Sequence, residues 1–155
     1  MSHFLDMKVP LTNPEAIVNG LVRKGVPLQD IEVHKQPTRL IGYNGQDRMA
    51  NIIVRKNSLN NCSNATGMKS GAYSDLGFAE QADGTYKVLV DDINFNPTWV
   101  EELSMYHNVE SAKIALDNKK IKYVESEEEG LPVIKATIPN RQQKKIAPRR
   151  TISFS

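Results

Sequence analysis

The residues that could supply a nucleophile or a general base are few and widely spaced in this sequence. The single cysteine, Cys62, lies in a polar stretch, and none of the three histidines, His3, His34 and His107, is close to it in the chain. A thiol becomes a catalytic nucleophile only when a base lies within hydrogen-bond reach. One cysteine also excludes an intrachain disulfide and a zinc site built from cysteines. The sequence therefore predicts no catalytic residue and a protein that is not an enzyme.

Patterns for binding metal or phosphate are also weak. The histidines lack the H-x-x-x-H or H-x-H spacing of metal ligands. Asp91 and Asp92 could bind a hard cation, but adjacent residues at a strand end point to opposite faces. Gly42 and Gly45 are not followed by the lysine and helix of a phosphate-binding loop. We expect no metal and no cofactor, and keep a metal enzyme using Asp91, Asp92 and His107 as the third alternative.

The end of the chain concentrates positive charge. Of the formal net charge of +2, five cations lie after residue 140 with no acid among them, so residues 1–140 carry a net charge of −3. These cations predict salt-sensitive contacts with the phosphates of a nucleic acid. Interleaved apolar residues instead favour a short peptide that folds onto a protein partner; a disordered, solubilising tail is the third interpretation. The predicted partner-binding residues of the tail are Arg141, Lys144, Lys145, Ile146, Arg149, Arg150, Ile152 and Phe154.

An acidic strip precedes the tail. Glu125, Glu127, Glu128 and Glu129 fall in a predicted strand and the turn after it. Charges on an edge strand keep other strands from pairing with it, and this is the simplest interpretation of the strip. The functional alternative is a docking strip for a basic partner, or for the chain's own tail, although exposed ion pairs are individually weak.

The positions of turns and apolar residues predict the elements that carry these residues. A capping box from Thr12 to Glu15, with Pro14 in the first turn, begins a helix that ends near Gly25. Asp83-Gly84 supplies the positive φ of a tight hairpin, and Asn96 precedes a second helix. Strands are predicted at residues 3–10, 38–42, 50–56, 73–80, 85–91, 121–127 and 131–138, with helices at 12–24 and 96–119.

This order predicts an α+β fold in one domain, residues 1–138, with two helices on one face of a mainly antiparallel sheet. Residues 57–72 form a polar, Gly/Ser/Asn-rich insertion that we expect to be a mobile loop. Residues 139–155 are expected to be a disordered basic tail. The opposite sheet face would be open, or covered by a loop, the tail or a partner. We expect Phe78 and Tyr86 to pack in the core rather than to stack on bases.

The order of several short motifs resembles a family of unknown function, typified by hypothetical chloroplast reading frame thirty-five of cyanobacteria, algal plastids and phages. The resemblance covers roughly residues 1–138. The motifs are Met1-Ser2-His3-Phe4, Ile41-Gly42-Tyr43 followed by Gly45, Ala50-Asn51-Ile52-Ile53-Val54-Arg55, Asp75-Leu76-Gly77-Phe78, Asp83-Gly84-Thr85-Tyr86, Val88-Leu89-Val90-Asp91 and Tyr106-His107. The insertion at 57–72, the tail after Pro139 and the stretch Asp92–Asn96 depart from the family's pattern.

The resemblance implies a small α+β protein without an assigned reaction, whose relatives are often encoded near ATPases of the AAA type. We therefore predict a non-catalytic protein–protein adaptor or accessory subunit, with an AAA-type ATPase as a candidate partner. The alternative is a nucleic-acid-binding accessory protein that uses the basic tail. No apolar run approaches the roughly 20 residues of a bilayer span, and the first residues lack a secretory pattern. We expect no membrane partner, and a location in the cytoplasm, a plastid stroma or the cytosol of a virus-infected cell.

Overall fold

The computed structural model describes residues 4–42, 47–62, 74–91, 97–137 and 144–146. Its helices are α1 (Pro14–Arg23), α2 (Lys56–Asn61) and α3 (Pro97–Asn118), with a short 3-10 helix at Leu28–Asp30. Its strands are β1 (Phe4–Leu11), β2 (Ile31–Ile41), β3 (Asp47–Val54), β4 (Leu76–Glu80), β5 (Tyr86–Asp91), β6 (Lys122–Glu128), β7 (Leu131–Thr137) and β8 (Lys144–Ile146). All strand pairs are antiparallel, so the predicted α+β class is confirmed.

The strands form two sheets where the sequence predicted one. The first sheet has the order β1-β5-β4-β3-β2, and the second has the order β6-β7-β8. The main core lies between one face of the first sheet and the helices α1 and α3. Its cross-strand row of Ile52, Phe78 and Val88 packs with Leu21 of α1 and Leu103 of α3. Both predicted helices therefore cover the same face of this sheet, because each has an apolar side to bury there.

The opposite face of the first sheet is not open. Leu40, Ala50, Ile53 and Leu89 are buried on it and form a smaller core of their own. The pairing of β2 with β3 passes from Val33–Ile52 to Thr38–Ala50, so residues 34–37 bulge from β2. Beyond this bulge β2 contacts β4, although β3 separates the two strands in the sheet order.

Hydrogen bonds hold the end of β2 over β4. The Ile41 N–H donates to Asp75 Oδ2 at 2.8 Å, and the Asp75 N–H donates to the Ile41 carbonyl at 2.9 Å. Leu40 then lies over Gly77, where an added Cβ would stand 2.6 Å from a Leu40 methyl carbon. The sheet therefore curls around its second core, and the glycine makes the close approach possible.

The long helix α3 joins the two sheets. Its first turns place Trp99, Val100 and Leu103 in the main core. Its last turns place Val109, Ala112 and Leu116 against Ile134 and Ala136 of β7, in the core of the second sheet. No helix among the described residues is long and apolar enough to cross a membrane.

Several predicted boundaries were wrong. The N-cap of α1 is Asn13, whose side chain accepts from the Ala16 N–H at 3.2 Å, instead of Thr12. β2 begins at Ile31, before the predicted strand at 38–42, because Pro37 falls in a bulge of the strand and not in a loop before it. The predicted mobile loop begins with α2, where Leu59 is fully buried in the main core. Residues 63–73 lie outside the described part, so their predicted mobility stays a prediction.

Candidate functional site

The second sheet carries both of the features that the sequence predicted to bind a partner. Three tail residues form β8, with Ile146 opposite Ile134 and Lys144 opposite Ala136 of β7. The acidic strip lies on β6, at the other edge. Lys144–Ile146 of the predicted tail are therefore paired with the second sheet. Arg141, Arg149, Arg150, Ile152 and Phe154 lie outside the described residues.

The acidic strip divides into two parts. Glu125 faces the helices and binds Arg23 and Lys113, whereas Glu127 and Glu129 are exposed and Glu128 is half-buried. Glu129 and Gly130 have φ values of 53° and 76°, as a two-residue hairpin turn of type I′ requires. β7 separates β6 from β8, so the described part of the tail, Lys144–Ile146, does not pair with the strand of the acidic strip.

A charge network joins α1, α3 and β6 beside the second sheet. Arg23 binds Glu125 through both terminal nitrogens, at 2.9 and 3.1 Å, and Glu110 at 2.9 Å. Lys113 binds Glu110 at 3.0 Å and Glu125 at 3.3 Å. Burial raises the pKa of Glu125, but hydrogen bonds from Arg23 and Lys113 outweigh it and lower the pKa overall. The network therefore positions the second sheet against the two helices.

No local sequence pattern predicts this network, because its members lie far apart in the chain. Arg23 and Glu125 are separated by 102 residues, and no local pattern links them. The spacing of Glu110 and Lys113 on one helix face was the available signal, since residues three apart on a helix are neighbours. Arg23 also lies over the ring of Tyr106, at 4.7 Å from its centroid.

The metal-enzyme alternative uses Asp91, Asp92 and His107, and of these three His107 is the one whose side chain is described. The buried ring accepts from the Thr12 and Asn13 N–H groups through Nε2, at 3.3 and 3.2 Å. Nδ1 must then carry the hydrogen and donate to Asn108 Oδ1 at 3.0 Å. Both ring nitrogens are used, and burial lowers the pKa of His107. Asp92 and the side chain of Asp91 lie outside the described residues.

A second charge cluster holds the curled end of the first sheet. Arg55 donates to Glu32 through Nε and Nη2, at 2.8 and 3.1 Å. Its Nη1 donates to Asp75 and to the Arg39 carbonyl, both at 2.9 Å. Asp75, buried at 2% exposure, also accepts from the N–H groups of Ile41 and Lys56. The hydrogen bond from Arg55 lowers the pKa of Glu32. The cluster closes β2 over β4.

Cys62 is a half-buried thiol at the end of α2. It donates to the Ser58 carbonyl at 2.9 Å. Burial, with a contribution from the Asp30 charge, raises its pKa, so the reactive thiolate is disfavoured. Among the described residues, no group of three or more metal-ligating side chains comes together.

A groove of about 650 Å³ lies where the end of α3 meets the start of β6, and it also reaches Thr137 of β7. It is lined by Tyr123 on the helix side of the strand and by Lys122 and Val124 on the other side. Tyr123 donates its hydroxyl hydrogen to Asp117, at the end of α3, at 3.3 Å. Val124 is 64% exposed. The groove therefore includes an exposed apolar side chain near the start of β6.

No protein-family model, curated protein or solved structure matches this chain.

Proposed function

We propose that this protein is a non-catalytic protein–protein adaptor whose basic tail binds the partner and whose domain holds the start of that tail. The observation that carries the proposal is β8. Lys144–Ile146 pairs with β7 as an edge strand, so the domain anchors the tail sequence just before its last residues. Arg149, Arg150, Ile152 and Phe154 all lie within those residues.

The composition of this segment supports a protein partner. Ile152 and Phe154 are apolar residues at a spacing of two, which places both on one side of an extended peptide. A peptide that adds to a partner's sheet gains affinity from its backbone and specificity from alternate side chains. The cations Arg149 and Arg150 would then bind acidic groups at the rim of the site. By its resemblance to the chloroplast reading-frame family, an AAA-type ATPase is a candidate partner.

The chemistry of the described side chains supports a role without catalysis. His107 uses both ring nitrogens to hold the start of α1. The carboxylates of Glu110, Glu125 and Asp75 are bound by cations or backbone N–H groups. Each of these side chains therefore forms contacts that stabilise the fold.

Affinity capture from the native lysate, after nuclease treatment, tests the proposal. A chain that ends at Pro139 loses β8 together with the tail, so the sharper variant is Ile152→Ala with Phe154→Ala, which leaves β8 in place. We expect this variant to lose the captured protein, and the purified partner to bind the wild type directly. Retention of the partner by the double variant would contradict the adaptor role of the tail.

The matched control is Arg149→Ala with Arg150→Ala. If the tail binds a nucleic acid, capture disappears with nuclease, and this variant reduces the salt dependence of binding by about two phosphate contacts. If the partner is a protein held by apolar anchors, the same variant weakens capture only modestly, because exposed charge contacts each contribute about 0.2–1 kcal/mol.

A further inference from the structure

The outer edge of β6 has a charge pattern that complements itself. β6 lies at the end of the second sheet, and no described strand pairs with its outer side. Lys122 is near its start, and Glu127 and Glu128 are at its end. In an antiparallel pair of two identical strands, the start of one lies beside the end of the other. From this pattern we infer that a second copy of this chain pairs with the outer edge of β6, in a two-fold antiparallel dimer.

The hairpin determines which backbone groups face this edge. β6 and β7 are joined by the two-residue turn Glu129–Gly130, flanked by the pair Glu128–Leu131. In such a hairpin the flanking pair exchanges backbone hydrogen bonds. The N–H and C=O groups of successive residues then point alternately toward β7 and away from it. Tyr123, Glu125 and Glu127 therefore direct their N–H and C=O groups away from β7. A second β6 would exchange about six backbone hydrogen bonds with them.

The side chains select one register. With Glu125 at the two-fold axis, Lys122 lies opposite Glu128 of the second copy, and Val124 lies opposite Ser126 of the second copy. These residues share the face that points away from α3, since Tyr123 and Glu125 face the helices. Moving the axis to Tyr123 or Glu127 places neither Lys122 nor Glu128 opposite a residue of the other charge. Only the Glu125 register pairs Lys122 with Glu128 twice.

The structure offers an apolar contact for this arrangement, because the exposed Val124 would be covered by the second strand. The two Glu125 side chains meet at the axis, and Arg23 and Lys113 already bind each of them. The dimer would join the two second sheets into one continuous sheet with β8 at each outer edge. The inference does not depend on what the tail binds.

Sedimentation over a wide concentration range tests the dimer with the purified full chain. We expect reversible dimerisation of the wild type, weakened by high salt. Lys122→Glu or Glu128→Lys converts two attractive pairs into two repulsive ones and should weaken dimerisation roughly tenfold. The double variant with both changes restores the pairs and should dimerise like the wild type. A wild-type monomer at every concentration, or a double variant as weak as the single ones, would overturn the inference.

Disulfide crosslinking tests the register. In a Cys62→Ser background, one preparation carries Val124→Cys and another carries Ser126→Cys. The predicted register places these positions opposite each other at a Cα separation of about 4.5 Å, which suits a disulfide. The mixture should therefore crosslink more readily than either preparation alone. Crosslinking that is strongest for either preparation alone would contradict the register centred on Glu125.

Discussion

At the residue scale, His107 shows how a residue suited to catalysis can serve structure instead. Its Nε2 accepts hydrogen bonds from the backbone N–H groups of Thr12 and Asn13, just before α1. The first N–H groups of a helix lack partners inside the helix, so a side chain from α3 completes the turn that begins α1. The same contacts tie α3 to the start of α1.

These contacts predict a stability that falls in mild acid. Burial lowers the pKa of His107 in the folded chain, so the unfolded chain binds the proton more tightly. The stability from this residue is complete above its unfolded pKa of about 6.5 and is lost as the pH falls below that value. Urea unfolding between about pH 5 and pH 8 should reveal this loss.

Two substitutions separate the hydrogen bonds of His107 from its charge. His107→Ala leaves two N–H groups without their acceptor and should cost about 1–3 kcal/mol at neutral pH. His107→Gln retains an acceptor that does not titrate, so it should cost less and should lose the pH dependence between about pH 5 and pH 6.5. A pH dependence in this variant equal to that of the wild type would show that another group causes it.

At the element scale, the curl of β2 over β4 depends on Gly77. A Cβ at this position would lie 2.6 Å from a Leu40 methyl carbon and 2.8 Å from the Ala50 Cβ. Gly77→Ala should therefore lower the free energy of unfolding by about 1–3 kcal/mol, as measured by urea denaturation. Leu40→Ala removes a buried side chain and should cost about 2–4 kcal/mol.

The double variant of Gly77→Ala with Leu40→Ala tests whether a collision with Leu40 causes the loss of stability. If the new methyl group collides with Leu40, Leu40→Ala relieves the collision, and the double variant is more stable than the sum of the single costs predicts. Strictly additive costs would instead attribute the effect of Gly77→Ala to its contact with Ala50 or to the backbone conformation of β4.

At the scale of the whole molecule, α3 couples the two sheets. Leu103 lies in the main core, whereas Leu116 lies in the core of the second sheet, and the Arg23 network adds contacts between the same units. We therefore expect both sheets to unfold in one transition, as is usual for a chain of this size.

The single tryptophan makes this expectation testable. Trp99 lies in the main core, far along α3 from Leu116. Leu116→Ala should cost about 2–4 kcal/mol and should shift the unfolding midpoint seen by Trp99 fluorescence and by far-ultraviolet circular dichroism equally. A fluorescence midpoint unchanged from the wild type would show that the second sheet unfolds separately.

The sequence by itself determined the elements whose signals are local. The hairpin of β4 and β5, the two long helices and the β6–β7 hairpin follow from turn residues and apolar spacing, and Phe78 and Tyr86 are buried in the core as expected. These signals act within a few residues, because Gly84 and Gly130 permit the positive φ that their turns require and the apolar side of a helix must be buried.

Only the tertiary structure decided how these elements combine. The division into two sheets, the curl of β2 and the pairing of β8 with β7 each depend on contacts between distant residues. The partners of Arg23, Arg55 and His107 could not be predicted from the sequence for the same reason. A charged residue shows in the sequence that it needs a partner, but the packing of helices and sheets determines which partner it meets.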